Sequence, residues 1–342
     1  MIEVRNEGII LKKTNKAFEN HAVLNPACIE KDGVTHMFYR AVAKGNFSTL
    51  GYCQLDKRNR IIKRWDKPFM VPEFDYEKHG IEDPRIEKLD NEYYLFYTAY
   101  DGKNARIAYA VSQDLKKFKK KGLISPSITY DKAEDIFRNS CCLQEKYFLF
   151  ESFYKEKHGV DVLLWEKDAF LLPKKIKGKF VLFHRILPGI QIVYFKNFEE
   201  IKSVEYWKKY LKNLGKSIVI DPKHWFEIRN IGGGCTPIET ERGWLLIYHA
   251  VEDSGKGKVY HAAAALLDKN NPLKLKSRLG YPLFSPQEPW EKKGIVNNVV
   301  FPTSALLREG RVTVYYGAAD QLIAAKSFKL SDLFDEFEKS KG

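Results

Sequence analysis

Glu92-Tyr93-Tyr94-Leu95-Phe96-Tyr97 is a run in which every residue after the first is apolar or aromatic. Aromatic and β-branched residues suit a pleated sheet. An unbroken apolar run of this length predicts a central strand buried on both faces. The pattern recurs, each time after a charged or Gly-containing turn and before a polar loop. The other copies are Thr35-His36-Met37-Phe38-Tyr39-Arg40, Lys146-Tyr147-Phe148-Leu149-Phe150-Glu151, Lys179-Phe180-Val181-Leu182-Phe183-His184-Arg185, Gly243-Trp244-Leu245-Leu246-Ile247-Tyr248-His249 and Val312-Thr313-Val314-Tyr315-Tyr316-Gly317. Weaker strands fall between them, at residues 107–111 and 262–267. The second is Ala-rich, and it is read as strand because Ala packs closely where blades converge. Copies about one four-stranded sheet apart predict an all-β fold of propeller type, in which radial repetition leaves only short edges. Helical spacing occurs at residues 199–214 and again at 330–339. No Pro/Gly/Ser-rich linker divides the chain, so one domain over residues 1–342 is expected.

The 342 residues carry a formal net charge of +13, with 44% hydrophobic and 14% aromatic residues. That composition supports a full core and excludes disorder. A basic balance suits nucleic acid, an anionic surface or a small anionic substrate. Lys-rich runs such as Lys116-Lys117-Phe118-Lys119-Lys120-Lys121 read as exposed turns. No nucleic-acid motif accompanies them, so nucleic acid is not an expected partner. The five Cys are unpaired in spacing and read as reduced, mostly buried thiols. The start of the chain lacks a signal-peptide core, and no apolar run reaches membrane-span length. A cytoplasmic protein without membrane contact is expected. The His residues show no zinc spacing, so no metal is expected.

The inner-strand ends and loops of a propeller line one funnel, so polar residues there are the candidates. Arg40, Arg185, His249 and Asp320 all follow apolar strands. In Gly80-Ile81-Glu82-Asp83-Pro84-Arg85, adjacent carboxylates precede a Pro in extended or turn backbone. Asp83 is a candidate general acid; its bland reading is a turn residue paired to Arg85. Glu291, after Trp290, is either a second carboxylate or a solvated turn residue. Asp320 either binds sugar hydroxyls or ends a strand. The run Ile231-Gly232-Gly233-Gly234-Cys235-Thr236-Pro237 lacks the Lys-Ser/Thr ending of a phosphate loop. It reads instead as a close backbone approach near the axis. No Gly-x-Ser-x-Gly elbow is present.

Together these stretches resemble glycoside hydrolase family 130, the β-mannoside phosphorylases and related β-mannosidases. The matching segments run in family order from NPACIEKDGVTHMFYRAV at Asn25 through GIEDPRIEKLDNEYYLFYTAYDG, GWLLIYHAVED, YHAAAALLDKNNP and WEKKGIVNNVVFP to VYYGAAD. The resemblance implies a five-bladed propeller. It implies Asp83 as the general acid, acting through a sugar hydroxyl as relay. It implies that Asn25, Arg40, Ser48, Glu291 and Asp320 hold the sugar. It implies that Lys167, Arg185, Arg229, His249 and Tyr260 bind phosphate. Lys167 stands where the family commonly has Arg. Asn230 stands where a basic residue is common, with Arg229 beside it. Residues 130–165 exceed the family norm and are expected as an added hairpin-like insertion, with a short helix at the C-terminus. The expected reaction is inverting phosphorolysis of β-linked manno-oligosaccharides, favouring the β-1,2 linkage. It yields α-mannose 1-phosphate, with inorganic phosphate as co-substrate, no cofactor, and a homo-oligomer left open. The competing readings are a β-mannosidase using Glu291 or Glu252 to activate water, a sugar-nucleotide-dependent mannosyltransferase, and a non-catalytic sugar-binding propeller.

Overall fold

The computed structural model describes residues 2–138, 140–255 and 257–339; the rest of the expected 1–342 span lies outside the described residues. The strands group into five antiparallel blades, making a five-bladed β-propeller. The first blade holds Ala22–Lys31, Val34–Ala43, Phe47–Leu55 and Ile61–Arg64. The second holds Gly80–Leu89, Glu92–Tyr100, Ala105–Ser112 and Lys119–Leu123. One parallel bridge, Ser48 to Gly80, joins these two. The third holds Lys167–Leu171, Phe180–Arg185, Ile190–Phe195 and Ile218–Ile220. The fourth holds Asn230–Gly233, Gly243–Ser254, Gly257–Leu267 and Leu275–Arg278, with Ile238–Thr240 beside its long strand. The fifth holds Val300–Arg308, Arg311–Ala318 and Leu322–Lys329, and the N-terminal strand Arg5–Leu11 completes it. Pairing the N-terminal strand with the last sheet closes the ring, leaving only the short outer strands of the blades as edges.

Five of the six repeated runs are the second strands of these blades, buried on both faces. The sixth is corrected by the structure. Lys146–Glu151 belongs to a helix, Lys146–His158, which follows another at Tyr130–Phe137. The expected hairpin-like insertion is therefore helical. A short apolar run is ambiguous between strand and buried helix. Here Tyr147 and Tyr154, seven residues apart, are both buried on one face. The helical spacing at 199–214 appears as Val204–Lys212, and the C-terminal helix as Leu330–Lys339. The Ala-rich segment is strand but lies in the third strand of its blade, away from the axis. Its side chains alternate: Ala263 and Ala265 face the third blade's Val181 and Phe183, while Ala262 and Ala264 face the fifth blade's Val314 and Ala324. Small side chains let both neighbours approach. Cys28, Cys53 and Cys235 are buried, as expected of most of the thiols, whereas Cys141 and Cys142 are exposed; all five are free.

One interaction repeats around the ring. A fully buried Glu, carried on the segment entering each blade, meets the last aromatic residue of that blade's repeated run. Glu19 accepts from the Tyr39 hydroxyl at 2.8 Å and pairs with Arg64 at 2.8 Å. Glu77 accepts from Tyr97 at 2.7 Å and pairs with Lys120 at 2.7 Å. Glu227 accepts from Tyr248 at 2.8 Å and pairs with Arg278 at 2.6 Å. Glu291 accepts from Tyr316 and pairs with Lys326 at 2.8 Å. In the third blade a histidine replaces the tyrosine, and Glu166 faces His184 Nδ1 at 2.9 Å. In the four tyrosine blades the buried carboxylate is tolerated because it is paired and hydrogen-bonded. Each lock ties the incoming crossover to the blade's central strand.

Removing one partner of such a pair leaves an uncompensated buried charge. Glu291→Ala, which strands Lys326, is expected to cost roughly 3–5 kcal/mol. Urea unfolding checks this, and an unchanged midpoint would contradict it.

Candidate active site

The innermost strands do not run straight into the funnel. The first, second and third each slip register near their start, between Leu24 and Ala27, Glu82 and Arg85, and Lys167 and Phe170. Within each slip sits one left-handed residue: Asn25 at φ 49°, Asp83 at φ 50° and Asp168 at φ 58°. Asn and Asp tolerate this backbone better than other side-chain-bearing residues. A bulge re-aims a side chain, and all three residues line one cavity of about 300 Å³.

The acidic end of the cavity is a dense polar cluster. Asn25 Nδ2 donates to Asp83 Oδ1 at 2.7 Å. Arg40 donates to Glu82 at 2.7 Å and lies 3.5 Å from Asp83. Lys167 Nζ reaches the other Glu82 oxygen at 3.4 Å. Burial pushes the Asp83 carboxyl up, but Arg40, Lys167, Arg85 and the Asn25 amide outweigh it and hold the group below its ordinary value. Asp320 behaves oppositely. Burial and the Asp83 and Glu82 carboxylates, opposed by Arg40, push it up to about 6. Gly317 is required beside this cluster, because a Cβ there would stand 2.2 Å from Asn25 Oδ1.

The cationic end gathers Lys167, Arg185, Arg229, Lys258 and Tyr260 around the same cavity. Arg185 Nη1 lies 2.8 Å from Asp168 Oδ2, and Arg85 approaches the other Asp168 oxygen at 3.8 Å. Arg85 is only 1% exposed and also donates to the Gly234 carbonyl at 2.7 Å, tying three blades at the axis. The Gly-rich run is thus the close backbone approach expected of it. A Cβ on Gly232 would stand 2.4 Å from His249 and 2.6 Å from Asp168.

Asn25, Arg40, Asp83, Lys167, Arg185, Arg229, Tyr260 and Asp320 therefore come together at one cavity. Three expected site residues do not line it. Ser48 is fully buried behind Arg40 and accepts from its Nε at 2.9 Å. His249 is fully buried, 3.3 Å from Arg185 and against the Phe301 ring. Burial drives its pKa down to about 3, with Asp168 opposing and Arg185 assisting, so it is neutral and supports Arg185 from beneath. Glu291 is locked to Tyr316 and Lys326 and takes the backbone N–H groups of Gln287 and Glu288, so no oxygen is spare for a sugar. Asp168 was missed from sequence, although Lys167-Asp168 stands where Leu24-Asn25 and Glu82-Asp83 stand in their blades. Phe150, Phe153 and Tyr154 of the helix Lys146–His158 also line the cavity. No sequence signal marked them.

A buried acid flanked by sugar-sized space and facing a cation cluster suits proton transfer coupled to attack by an anion. The two carboxyls should titrate apart. A ¹³C-carboxyl NMR titration is expected to give Asp320 a midpoint near 6 and Asp83 one below 3.8. Asp83 titrating above Asp320 would contradict this geometry.

Comparison with known proteins follows the same line. Residues 3–339 match a family model described as β-1,4-mannooligosaccharide phosphorylase, glycoside hydrolase family 130. A 1,2-β-oligomannan phosphorylase of Thermoanaerobacter sp. (strain X514) is 32% identical over 338 residues, covering 96% of this chain and 97% of that one. A β-1,2-mannobiose phosphorylase of the same organism is 33% identical over 339 residues, 94% of each chain. The solved structure of β-1,2-mannobiose phosphorylase from Listeria innocua, in complex with β-1,2-mannobiose, shares the fold. Its TM-score is 0.73 at 20% identity, over 98% of this chain and 99% of that one.

Proposed function

The chain belongs to glycoside hydrolase family 130, and from that premise we propose that it is an inverting β-mannoside phosphorylase acting on β-1,2-linked manno-oligosaccharides. The observation that carries this reading is one cavity holding both the buried acid Asp83 and the cations Lys167, Arg185 and Arg229. Asn25, Arg40 and Asp320 hold the terminal mannosyl unit. Arg185 and Lys167 hold inorganic phosphate in line with the anomeric carbon, Arg by its fork and Lys as a point charge. A phosphate oxygen forms the new bond to the anomeric carbon as the glycosidic C–O bond breaks. Asp83 supplies the proton that the departing oxygen takes, through a sugar hydroxyl. The products are α-mannose 1-phosphate and an acceptor one unit shorter, and in the reverse reaction the ionised Asp83 takes that proton back.

The electrostatics support this order of events. The neighbouring cations keep Asp83 ionised at neutral pH. Phosphate bound to Lys167 and Arg185 offsets those charges and raises the proton affinity of Asp83. The nucleophile thus helps to arm the acid.

Hydrolysis by inversion would need a second carboxylate to activate water. Glu291 is locked in its blade, and Glu252 contacts His261 at 3.2 Å. Of the cavity's other carboxyls, Asp168 is paired with Arg185, and Asp320 sits in the sugar cluster. The β-1,2 linkage rests on two relatives named for it, each above 30% identity over nearly the whole chain. A relative named for β-1,4-mannooligosaccharides, from Ruminococcus albus, aligns over 55%. The reading needs no cofactor beyond phosphate as co-substrate. It takes the five blades as one catalytic domain, with residues 130–165 as its insertion. Five free thiols support a reducing, cytoplasmic setting; no helix among the described residues is long and apolar enough to cross a membrane.

Two substitutions should separate the roles. Asp83→Asn is expected to lower kcat by roughly 10²–10⁴-fold while mannobiose still binds. Arg185→Ala is expected to raise KM for phosphate roughly 10–100-fold, the worth of a hydrogen bond to a charged group, with KM for mannobiose little changed. Steady-state kinetics on β-1,2- and β-1,4-mannobiose check both. Equal loss for the two substrates in Arg185→Ala, or full turnover in Asp83→Asn, would contradict the assignment.

A further inference from the structure

The helical insertion reaches the chemistry. Helix Lys146–His158 lies on the crossover between the second and third blades and turns Phe150, Phe153 and Tyr154 to the cavity. Their spacing, i, i+3 and i+4, makes one face. The helix is fastened along its length. The Tyr147 hydroxyl donates to Asp221 at 2.7 Å and accepts from Gln191 at 2.9 Å. Lys146 donates to the Ile228 carbonyl at 2.7 Å, and Lys155 pairs with Asp131 of the preceding helix. Tyr154 is sandwiched between Tyr130, with ring centres 5.2 Å apart, and Trp165, at 4.6 Å. Lys167 lies over that same Trp165 ring. The stack sets Tyr154 against the cationic end, where Arg185, Lys167 and Arg229, with the Asp168 carboxylate, are its charged neighbours. Tyr154 is 8% exposed, and what remains open of it lines the cavity. A buried hydroxyl lining the cavity among these cations is placed to donate to an anion bound there.

We propose that this helix roofs the anion end of the cavity and that Tyr154 is a phosphate ligand, donating its hydroxyl to the oxygens that Arg185 and Lys167 neutralise. Phe150 and Phe153, beside it, supply an apolar rim that keeps water from the attacking position. The proposal rests on the phosphorylase reading and adds a ligand to it from outside the repeated blades.

The test is calorimetric titration of inorganic phosphate into the wild-type protein and Tyr154→Phe, together with KM for phosphate and for β-1,2-mannobiose. Phe retains the stack on Tyr130 and Trp165, and matching melting midpoints verify it. The expected result is phosphate affinity weakened roughly 10-fold or more, an unchanged KM for mannobiose, and partial recovery in Tyr154→His, which restores a donor. Unchanged phosphate affinity in Tyr154→Phe overturns the proposal, as does equal loss for both substrates, which marks a purely structural ring. If the wild-type protein turns over mannobiose yet binds no phosphate, the phosphorylase reading itself fails, and this proposal with it.

Discussion

A carboxylate buried in protein must find its charge and its hydrogen bonds there or stay protonated, and this fold meets that demand in four of its five blades. Each blade spends one fully buried Glu on the last aromatic residue of its central strand. In four blades a Lys or Arg completes the set. The consequence reaches the active site through strand geometry. Successive side chains on a strand point to opposite faces. Fixing Tyr39 and His184 against their glutamates turns the next residues, Arg40 and Arg185, to the cavity. In the fourth blade the residue after Tyr248 is His249, which sits beneath Arg185. In the fifth, the residue after Tyr316 is Gly317, whose missing side chain leaves room for Asn25. One interaction therefore sets both the ring and the inventory of its funnel.

The bulges complete the arrangement. Straight inner strands would send Asn25, Asp83 and Asp168 into neighbouring blades. The left-handed residue in each slip redirects them to one cavity. Arg85 then acts as a hub, reaching Asp168 and the Gly234 carbonyl across the axis. Asn25, Asp83 and Asp168 thus stand on bulged inner strands, two of which Arg85 ties together at the axis. Rigid placement of this kind is what lets fixed charges favour a transition state without reorganising.

Much of this was legible in the sequence, and the failures have physical reasons. The apolar runs marked all five central strands because burial on both faces leaves a strong signal. The same signal misled at Tyr147–Phe150, where an apolar run of four belongs to a helix packed on the third blade. Asp83 stood out through its neighbours Glu82, Pro84 and Arg85. Glu291 was misread because a lone Glu in a polar loop carries no mark of its burial, and only comparison with Glu19, Glu77 and Glu227 reveals the repeat. His249 was placed one layer too far forward, since strand position does not tell a ligand from its support. Tyr154 lay beyond reach, because an insertion has no repeat to be compared with.

The most direct measurement is ¹H and ³¹P NMR of the purified protein with β-1,2-mannobiose, with and without inorganic phosphate. A cavity that pairs one acid with a cation cluster predicts α-mannose 1-phosphate as the first product, one per bond cleaved, and no cleavage without phosphate. Free mannose released at the same rate in either case, or the β-anomer of the phosphate, would contradict inverting phosphorolysis at this site.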